Sequence, residues 1–201
     1  SELHLHSARV FDNRAADLGG AIYVMSSTIT ATDCTLTSNS AHRGGAVTVE
    51  GNSSIISTNC TLSSNFANQD GAVYFAKGYS SIISTNCTMF LNSAGSGGVY
   101  YTKDYSTVTA TDCTTTSNSA HWGGAVYCAD EHSTTSSTNC TMASNSAYWG
   151  GVYYADEHST IISTNCTMTS NSADWGGVDY ADEHSTIIST NCAMFSNSAC
   201  W

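Results

Sequence analysis

The sequence predicts an all-β fold, a single-stranded parallel β-helix with about 26 residues per coil and seven to eight coils. Three rows of residues recur together at this spacing along the 201-residue chain. Within each unit, apolar residues alternate with a period of two and β-branched residues are frequent, which indicates strands rather than helices. A propeller blade needs about 40 residues, so stacked rungs about 4.8 Å apart explain the repeat better.

The three rows are a cysteine, an asparagine five residues later, and a glycine-containing pair before the next strand. The cysteines are Cys34, Cys60, Cys87, Cys113, Cys140, Cys166 and Cys192. The asparagines are Asn39, Asn65, Asn92, Asn118, Asn145, Asn171 and Asn197. The pairs are Gly19-Gly20, Gly44-Gly45, Asp70-Gly71, Gly97-Gly98, Gly123-Gly124, Gly150-Gly151 and Gly176-Gly177. An alanine follows the pair at Ala72 and Ala125 but is missing before Val99, Val152 and Val178, which accounts for one-residue differences in spacing.

Alternation also predicts which side chains point inward. In the long strand we expect Ile56, Thr58, Cys60 and Leu62 to face the core, and Ser57, Asn59 and Thr61 to face solvent. In the second strand the valines, from Val47 to Val178, should point inward, and Tyr23, Tyr74, Tyr100, Tyr127 and Tyr153 outward. The cysteine row is predicted to hold buried thiols, because parallel rungs direct neighbouring Cβ atoms the same way and strain a disulfide. The asparagines should stack amide on amide at a turn.

Residues 1–201 are predicted to form one β-helical domain. Its first coil, 1–20, is irregular, with Arg9 and Arg14 at the cysteine and asparagine positions, and 21–201 form regular coils with an open C-terminal end. Such an end indicates either a piece of a longer array or an end that stacks on another copy, since solenoids need a cap to remain monomeric. Cys128 and Cys200 lie outside the cysteine row, and Cys200 could join two subunits.

Two motifs resemble the repeats of the polymorphic outer-membrane proteins. Gly19-Gly20-Ala21-Ile22, Gly44-Gly45-Ala46-Val47 and Gly123-Gly124-Ala125-Val126 are similar to the Gly-Gly-Ala-Ile/Val signature of that family. Leu36-x-x-Asn39 and Leu62-x-x-Asn65 are similar to its Phe-x-x-Asn signature, with leucine, methionine or threonine in place of the aromatic residue. The resemblance covers nearly the whole chain and implies a right-handed parallel β-helix of the kind found in secreted adhesins.

Composition narrows the functional classes. Charged residues make up 10% of the chain, and 16 acidic residues against 5 basic ones give a net charge of −11. A nucleic-acid partner is therefore not expected, because phosphate binding needs clustered Lys and Arg. The sequence has no apolar run of the ~20 residues needed to cross a bilayer, so no transmembrane segment is predicted.

Several asparagines lie in N-glycosylation acceptor triplets, which points to an extracellular or cell-surface location. Four of them precede a cysteine of the row and one lies elsewhere; the five are Asn59, Asn86, Asn139, Asn165 and Asn52. Asp33, Asp112 and Asn191, which is followed by Cys-Ala, occupy the same place without forming an acceptor. Attached glycans would keep a surface with few charges soluble.

Acidic turns recur at three successive rungs and could bind calcium, because carboxylate oxygens suit Ca²⁺. The carboxylates are Asp130, Glu131, Asp156, Glu157, Asp182 and Glu183. A solvated acidic turn explains the same pattern, and no other cofactor is predicted. We expect no enzymatic activity, because paired catalytic carboxylates need different environments and these are copies of one another.

An aromatic stripe, formed by Trp122, Trp149, Trp175 and Trp201, precedes the glycine pairs and could stack on sugars or on another filament. The leading hypothesis is an extracellular, glycosylated structural protein that stacks end to end into fibrils. The alternative is a surface adhesin or carbohydrate-binding solenoid that uses the aromatic stripe. An ice-binding or polysaccharide-active β-helix ranks third, because the predicted outward row mixes Ser57, Asn59 and Thr61.

Overall fold

The computed structural model describes residues 1–200, and all secondary structure in that range consists of 30 short strands. The strands form four parallel sheets that run along the solenoid. From the second coil onward, each coil contributes one strand to every sheet in turn. The all-β parallel β-helix with about 26 residues per coil is therefore confirmed.

Sheets A and B hold the strands on either side of the cysteine row. Sheet A contains β1 (Glu2–His6), β4 (Thr28–Thr32), β8 (Ser54–Thr58), β12 (Ser81–Thr85), β16 (Thr107–Thr111), β20 (Thr134–Thr138), β24 (Thr160–Thr164) and β28 (Thr186–Thr190). Sheet B contains β2 (Arg9–Phe11), β5 (Thr35–Thr37), β9 (Thr61–Ser63), β13 (Thr88–Phe90), β17 (Thr114–Thr116), β21 (Thr141–Ala143), β25 (Thr167–Thr169) and β29 (Ala193–Phe195).

Sheets C and D hold the strands on either side of the glycine pairs. Sheet C contains β6 (Ser40–Ala41), β10 (Phe66–Ala67), β14 (Ser93–Ala94), β18 (Ser119–Ala120), β22 (Ser146–Trp149), β26 (Ser172–Trp175) and β30 (Ser198–Ala199). Sheet D contains β3 (Ile22–Met25), β7 (Val47–Glu50), β11 (Tyr74–Lys77), β15 (Tyr100–Lys103), β19 (Tyr127–Ala129), β23 (Tyr153–Ala155) and β27 (Asp179–Ala181).

The first coil is more regular than expected. Strand β1 pairs with β4 residue for residue, and β2 pairs with β5 in the same way. Ala8 occupies the cysteine position, since its carbonyl accepts from Thr35 N as the Cys34 carbonyl accepts from Thr61 N. Asn13 occupies the asparagine position. The prediction that Arg9 and Arg14 fill these places was wrong by one residue.

The inward face of sheet A also differs from the prediction. Ile55 and Ser57 are buried, whereas Ile56 and Thr58 are only partly covered. The reason lies at the corner between sheets A and B, where Asn59 adopts a left-handed conformation with φ of 54°. Such a residue turns the chain, so pleat alternation does not continue across it. Cys60 and Leu62, beyond the corner, are buried as predicted.

Of the five tyrosines predicted to point outward, Tyr23 is exposed and the other four line the core instead. Tyr74, Tyr100, Tyr127 and Tyr153 are fully buried, and their rings stack with centroids 4.9–5.4 Å apart. The preceding valines are also buried, because they lie in the turn before sheet D rather than in the strand.

The turn before sheet D has the same length in every coil, and its hydrogen bonding is irregular where it enters the sheet. The Val99 carbonyl accepts hydrogen bonds from both Val73 N (3.2 Å) and Tyr74 N (2.9 Å). Two donors thus share one acceptor, as at a β-bulge. The Val178 carbonyl accepts from two backbone N–H groups in the same way.

The extra residue of the longer coils lies before this turn, not at Ala72 or Ala125 as the sequence suggested. Three residues separate Ala67 from the left-handed Gly71, whereas two separate Ala94 from Gly97. Sheets C and D stay in register on either side of this segment.

The hydroxyls of the buried tyrosines have unequal environments, which yields a paired prediction. Tyr74 shares a 2.7 Å hydrogen bond with Ser57 Oγ, whereas the Tyr127 hydroxyl has no partner among residues 1–200. We expect Tyr74→Phe to destabilise the fold by about 1–3 kcal/mol, because it leaves a buried serine unpaired. Tyr127→Phe should be neutral or slightly stabilising. Denaturant unfolding of both variants measures the difference, and equal losses would contradict this account.

A second prediction concerns Asp179, which aligns with Tyr153 in sheet D. Burial raises the pKa of Asp179 to about 6. The folded state therefore favours the protonated carboxyl, and this contribution is full below the unfolded pKa and lost as the pH rises through about 6. We expect Asp179→Asn to raise the free energy of unfolding by about 2 kcal/mol at pH 7.5 and to have little effect near pH 4.

Unfolding curves at the two pH values test this expectation. Asp174→Asn, which changes an exposed carboxylate nearby, is the matched control and should show no comparable pH dependence. A stabilisation by Asp179→Asn that is the same at both pH values would contradict the assignment.

Candidate functional site

The asparagine row forms a continuous hydrogen-bonded ladder inside the solenoid. The Asn92 Oδ1 atom accepts from both the backbone N (2.9 Å) and Nδ2 (3.1 Å) of Asn65, and Asn65 Nδ2 also donates to the Leu36 carbonyl at 3.1 Å. The pattern repeats from Asn13 to Asn197. Each side chain thereby satisfies backbone groups that the turn leaves out of the sheets. This row stabilises the fold and leaves few polar atoms for a ligand.

The cysteine row lies beside this ladder and consists of free thiols. Six of its members are buried and Cys192 is half-buried. Each thiol donates to the carbonyl two residues earlier, as Cys60 does to Thr58 at 3.3 Å. A hydrogen bond with Cys87 and burial raise the pKa of Cys60, so it stays protonated. Outside the row, Cys128 is buried in sheet D and Cys200 is exposed.

The glycosylation candidates that precede a cysteine form an exposed row at the corner between sheets A and B. Asn59, Asn86, Asn139 and Asn165 are exposed and left-handed, with φ of 52–54°. Their side chains bond between rungs, as Asn86 Nδ2 does to Asn59 Oδ1 at 2.9 Å. Asparagine and aspartate tolerate this conformation best, which explains why Asp33 and Asp112 can replace asparagine. Asn52 lies apart, in the turn between sheets D and A.

The predicted calcium ligands lie in the turns between sheets D and A. Each aspartate is bonded within its own turn, as Asp130 Oδ1 is to Glu131 N at 2.8 Å. Lys103 neutralises part of the charge through an ion pair with Glu131 at 2.6 Å. Within residues 1–200, no group of three or more His, Cys, Asp or Glu side chains is close enough to hold a metal ion. Calcium binding stays an untested prediction.

A stack of exposed rings runs along the same turns and was missed from the sequence. Tyr79, Tyr105, His132, His158 and His184 lie one above another, with ring centroids 5.0–5.2 Å apart. Each residue is left-handed and precedes a serine, so aligning Gly-Tyr-Ser with Glu-His-Ser would have identified the row.

The tryptophans lie on the exterior, where sheet C meets sheet D. Trp149 stacks on Tyr154 and Tyr180 at 6.0 and 6.3 Å and contacts Trp122 at 5.7 Å. We call these four residues and Tyr148 the C–D aromatic cluster. Trp175 pairs with Trp149 in sheet C and is 42% exposed. Trp201 lies outside the described residues.

The tyrosines that join this cluster are not those expected. The outward row of sheet D contains Phe75, Tyr101, Cys128, Tyr154 and Tyr180. Tyr101 and Tyr154 donate to Asp130 and Asp156 at 2.8 and 2.7 Å, which ties the aromatic surface to the acidic turns. The outer side of sheet D therefore holds a buried cluster, Phe75, Tyr101 and Cys128, and the partly exposed rings of Tyr154 and Tyr180 beside the acidic turns.

Comparison with known proteins identifies the family. No curated protein and no solved structure matches this chain. Among the described residues, no helix has the length and apolar character of a membrane span. The family includes enzymes and proteins without catalytic activity, so membership does not decide between them. A family model described as a right-handed β-helix region matches residues 19–199, nearly the whole repeat array, and the chain belongs to that family.

Proposed function

We propose that this β-helix is an extracellular structural protein that carries N-linked glycans along one corner. The observation that carries the proposal is the row of exposed acceptor asparagines, Asn59, Asn86, Asn139 and Asn165, at the corner between sheets A and B. Asparagine at an exposed turn is the usual place of an attached glycan. The motif resemblance to polymorphic outer-membrane repeats supports the same location.

A structural role also follows from the internal ladders. The asparagine ladder and the stacked tyrosines connect successive coils along the solenoid, and such ladders favour a rigid rod. The acidic turns repeat one geometry with identical residues, which supports a non-catalytic role because acid–base pairs need unlike environments. Self-association into filaments belongs to this proposal, since coils of one shape can stack on one another.

Secretion of the chain from a eukaryotic host tests the proposal. We expect the intact mass to fall on enzymatic deglycosylation, and electron microscopy of the purified protein to show filaments whose number grows with concentration. A variant in which Asn59, Asn86, Asn139 and Asn165 are all replaced by glutamine should lack the part of the mass difference that comes from glycans at the corner. Asn191→Gln is the matched control, because Asn191 occupies the same corner but lacks the acceptor threonine.

Two results would contradict the proposal. A mass that deglycosylation leaves unchanged would contradict the claim that the chain carries glycans. Monomeric particles at all concentrations would contradict the claim that it forms filaments. Asn52→Gln, tested separately, assigns any remaining glycan to the turn between sheets D and A.

A second candidate function is an adhesin that binds carbohydrate through the C–D aromatic cluster. The observation that favours it is the exposure of Trp122 and Tyr148, 49% and 37%, on one side of the solenoid. Exposed aromatic rings contribute apolar area and ring edges to sugar and protein ligands. The neighbouring carboxylates Asp130 and Asp156 could accept hydrogen bonds from sugar hydroxyls.

Glycan-array binding tests this function. We expect Trp149→Ala to abolish binding, because Trp149 contacts four other rings of the surface. Tyr79→Ala, which removes an exposed ring far from the cluster, should leave binding unchanged. Absence of binding by the unaltered chain, or equal losses in both variants, would contradict the adhesin function.

A further inference from the structure

The outer face of sheet A is a regular array of hydroxyl and methyl groups. From β4 to β28, each strand presents its first, third and fifth side chains to solvent. The fifth position is threonine in all seven strands, namely Thr32, Thr58, Thr85, Thr111, Thr138, Thr164 and Thr190. The first position is always threonine or serine, and the third is threonine, serine or isoleucine.

The array is kept in order by the pairing of the strands. Every strand of sheet A pairs with its neighbours over all five residues without a shift in register. Equivalent side chains therefore repeat about every 4.8 Å across the strands, and outward neighbours in one strand lie about 6.7 Å apart. The result is a two-dimensional lattice of small neutral groups, fixed by the backbone.

Charge is absent from this array, although the chain as a whole is acidic. None of the outward positions from β4 to β28 holds a charged residue. The nearest carboxylates lie beside the face, at Asp33 and Asp112 in the corner and in the turns between sheets D and A. The outward hydroxyls of the threonine row make no side-chain hydrogen bond within residues 1–200, whereas Ser54 donates to Thr28 in the first row. They are free to bond to water.

We propose that the outer face of sheet A binds ice. Ice presents flat, uncharged layers of water oxygens at regular spacings comparable to those of this array. Threonine and serine hydroxyls can hydrogen-bond to ordered water, while the methyl groups of threonine and isoleucine fill the space between water molecules. A charged side chain would oppose such contact, because its hydration would be lost at the surface of a solid. The neutrality of the face thus matches the chemistry of this ligand.

The outward rows differ from those expected from alternation across the corner. The outward set is Ser54, Ile56 and Thr58 rather than Ser57, Asn59 and Thr61. The acceptor asparagines lie at the edge of this face, so glycans there would hinder access. The inference is independent of the glycosylation proposal, and the chain is tested without glycans.

The experiment uses the full chain produced in bacteria and measures thermal hysteresis and the adsorption of fluorescently labelled protein to a growing ice crystal. We expect the unaltered chain to show both. Thr109→Lys and Ser136→Lys, each at the centre of the face, should abolish them. Thr116→Lys, which places the same charge on the outer face of sheet B in the coil of Thr109, should retain them.

Circular dichroism and the melting temperature establish that each variant is folded. The proposal is overturned if the unaltered chain shows no thermal hysteresis, or if both folded face variants keep full activity. Equal loss in Thr116→Lys would overturn the assignment to sheet A. Adsorption to crystalline cellulose or chitin without adsorption to ice would identify a different ordered surface and overturn the choice of ligand.

Discussion

The left-handed corner between sheets A and B is the constraint on which the rest of the structure depends. Residues from Asp33 to Asn191 adopt φ near 54° at this corner in every coil from the second onward. Because the chain turns at this corner, the cysteine that follows it and the residue two positions later, such as Cys60 and Leu62, face the core. The strand of sheet B that begins there leads to the asparagine ladder. It also exposes the asparagine that carries the glycosylation triplet. One backbone requirement thus explains the cysteine row, the asparagine ladder and the row of acceptor asparagines together.

The fold could be predicted from the sequence because it follows from the spacing of the repeats and from the alternation within them. A period of about 26 residues, combined with β-branched alternation, has few physical solutions. Side-chain direction was less predictable, since alternation was extended through Asn59 and through the turn before Tyr74. A left-handed residue and a bulge both interrupt the pleat, and neither is visible from period-two patterning. The errors at Ile56 and at the tyrosines have this common origin.

The candidate surfaces were predictable in composition but not in grouping. Trp122, Trp149 and Trp175 lie outside as expected. The tyrosines that stack on Trp149 are Tyr154 and Tyr180, whereas the sequence favoured Tyr153. The threonine row of sheet A can be identified as part of an outward face only after the predicted inward and outward positions of the strand are exchanged. A surface of a β-helix consists of the same position in every coil. An error of one residue in the alternation therefore exchanges the inward and outward side chains of an entire sheet. The first coil shows the same sensitivity, with Ala8 and Asn13 one residue from the predicted positions.

The segment between sheet C and the left-handed glycine before sheet D has a consequence for how such a chain can evolve. Coils of 26 and 27 residues remain compatible because this segment takes up the additional residue. Duplication or loss of a whole coil by recombination would therefore leave the interfaces between the remaining coils intact. The near-identical repeats from 149 to 192 fit recent copying of this kind. Length can then vary in steps of one coil while every ladder stays continuous.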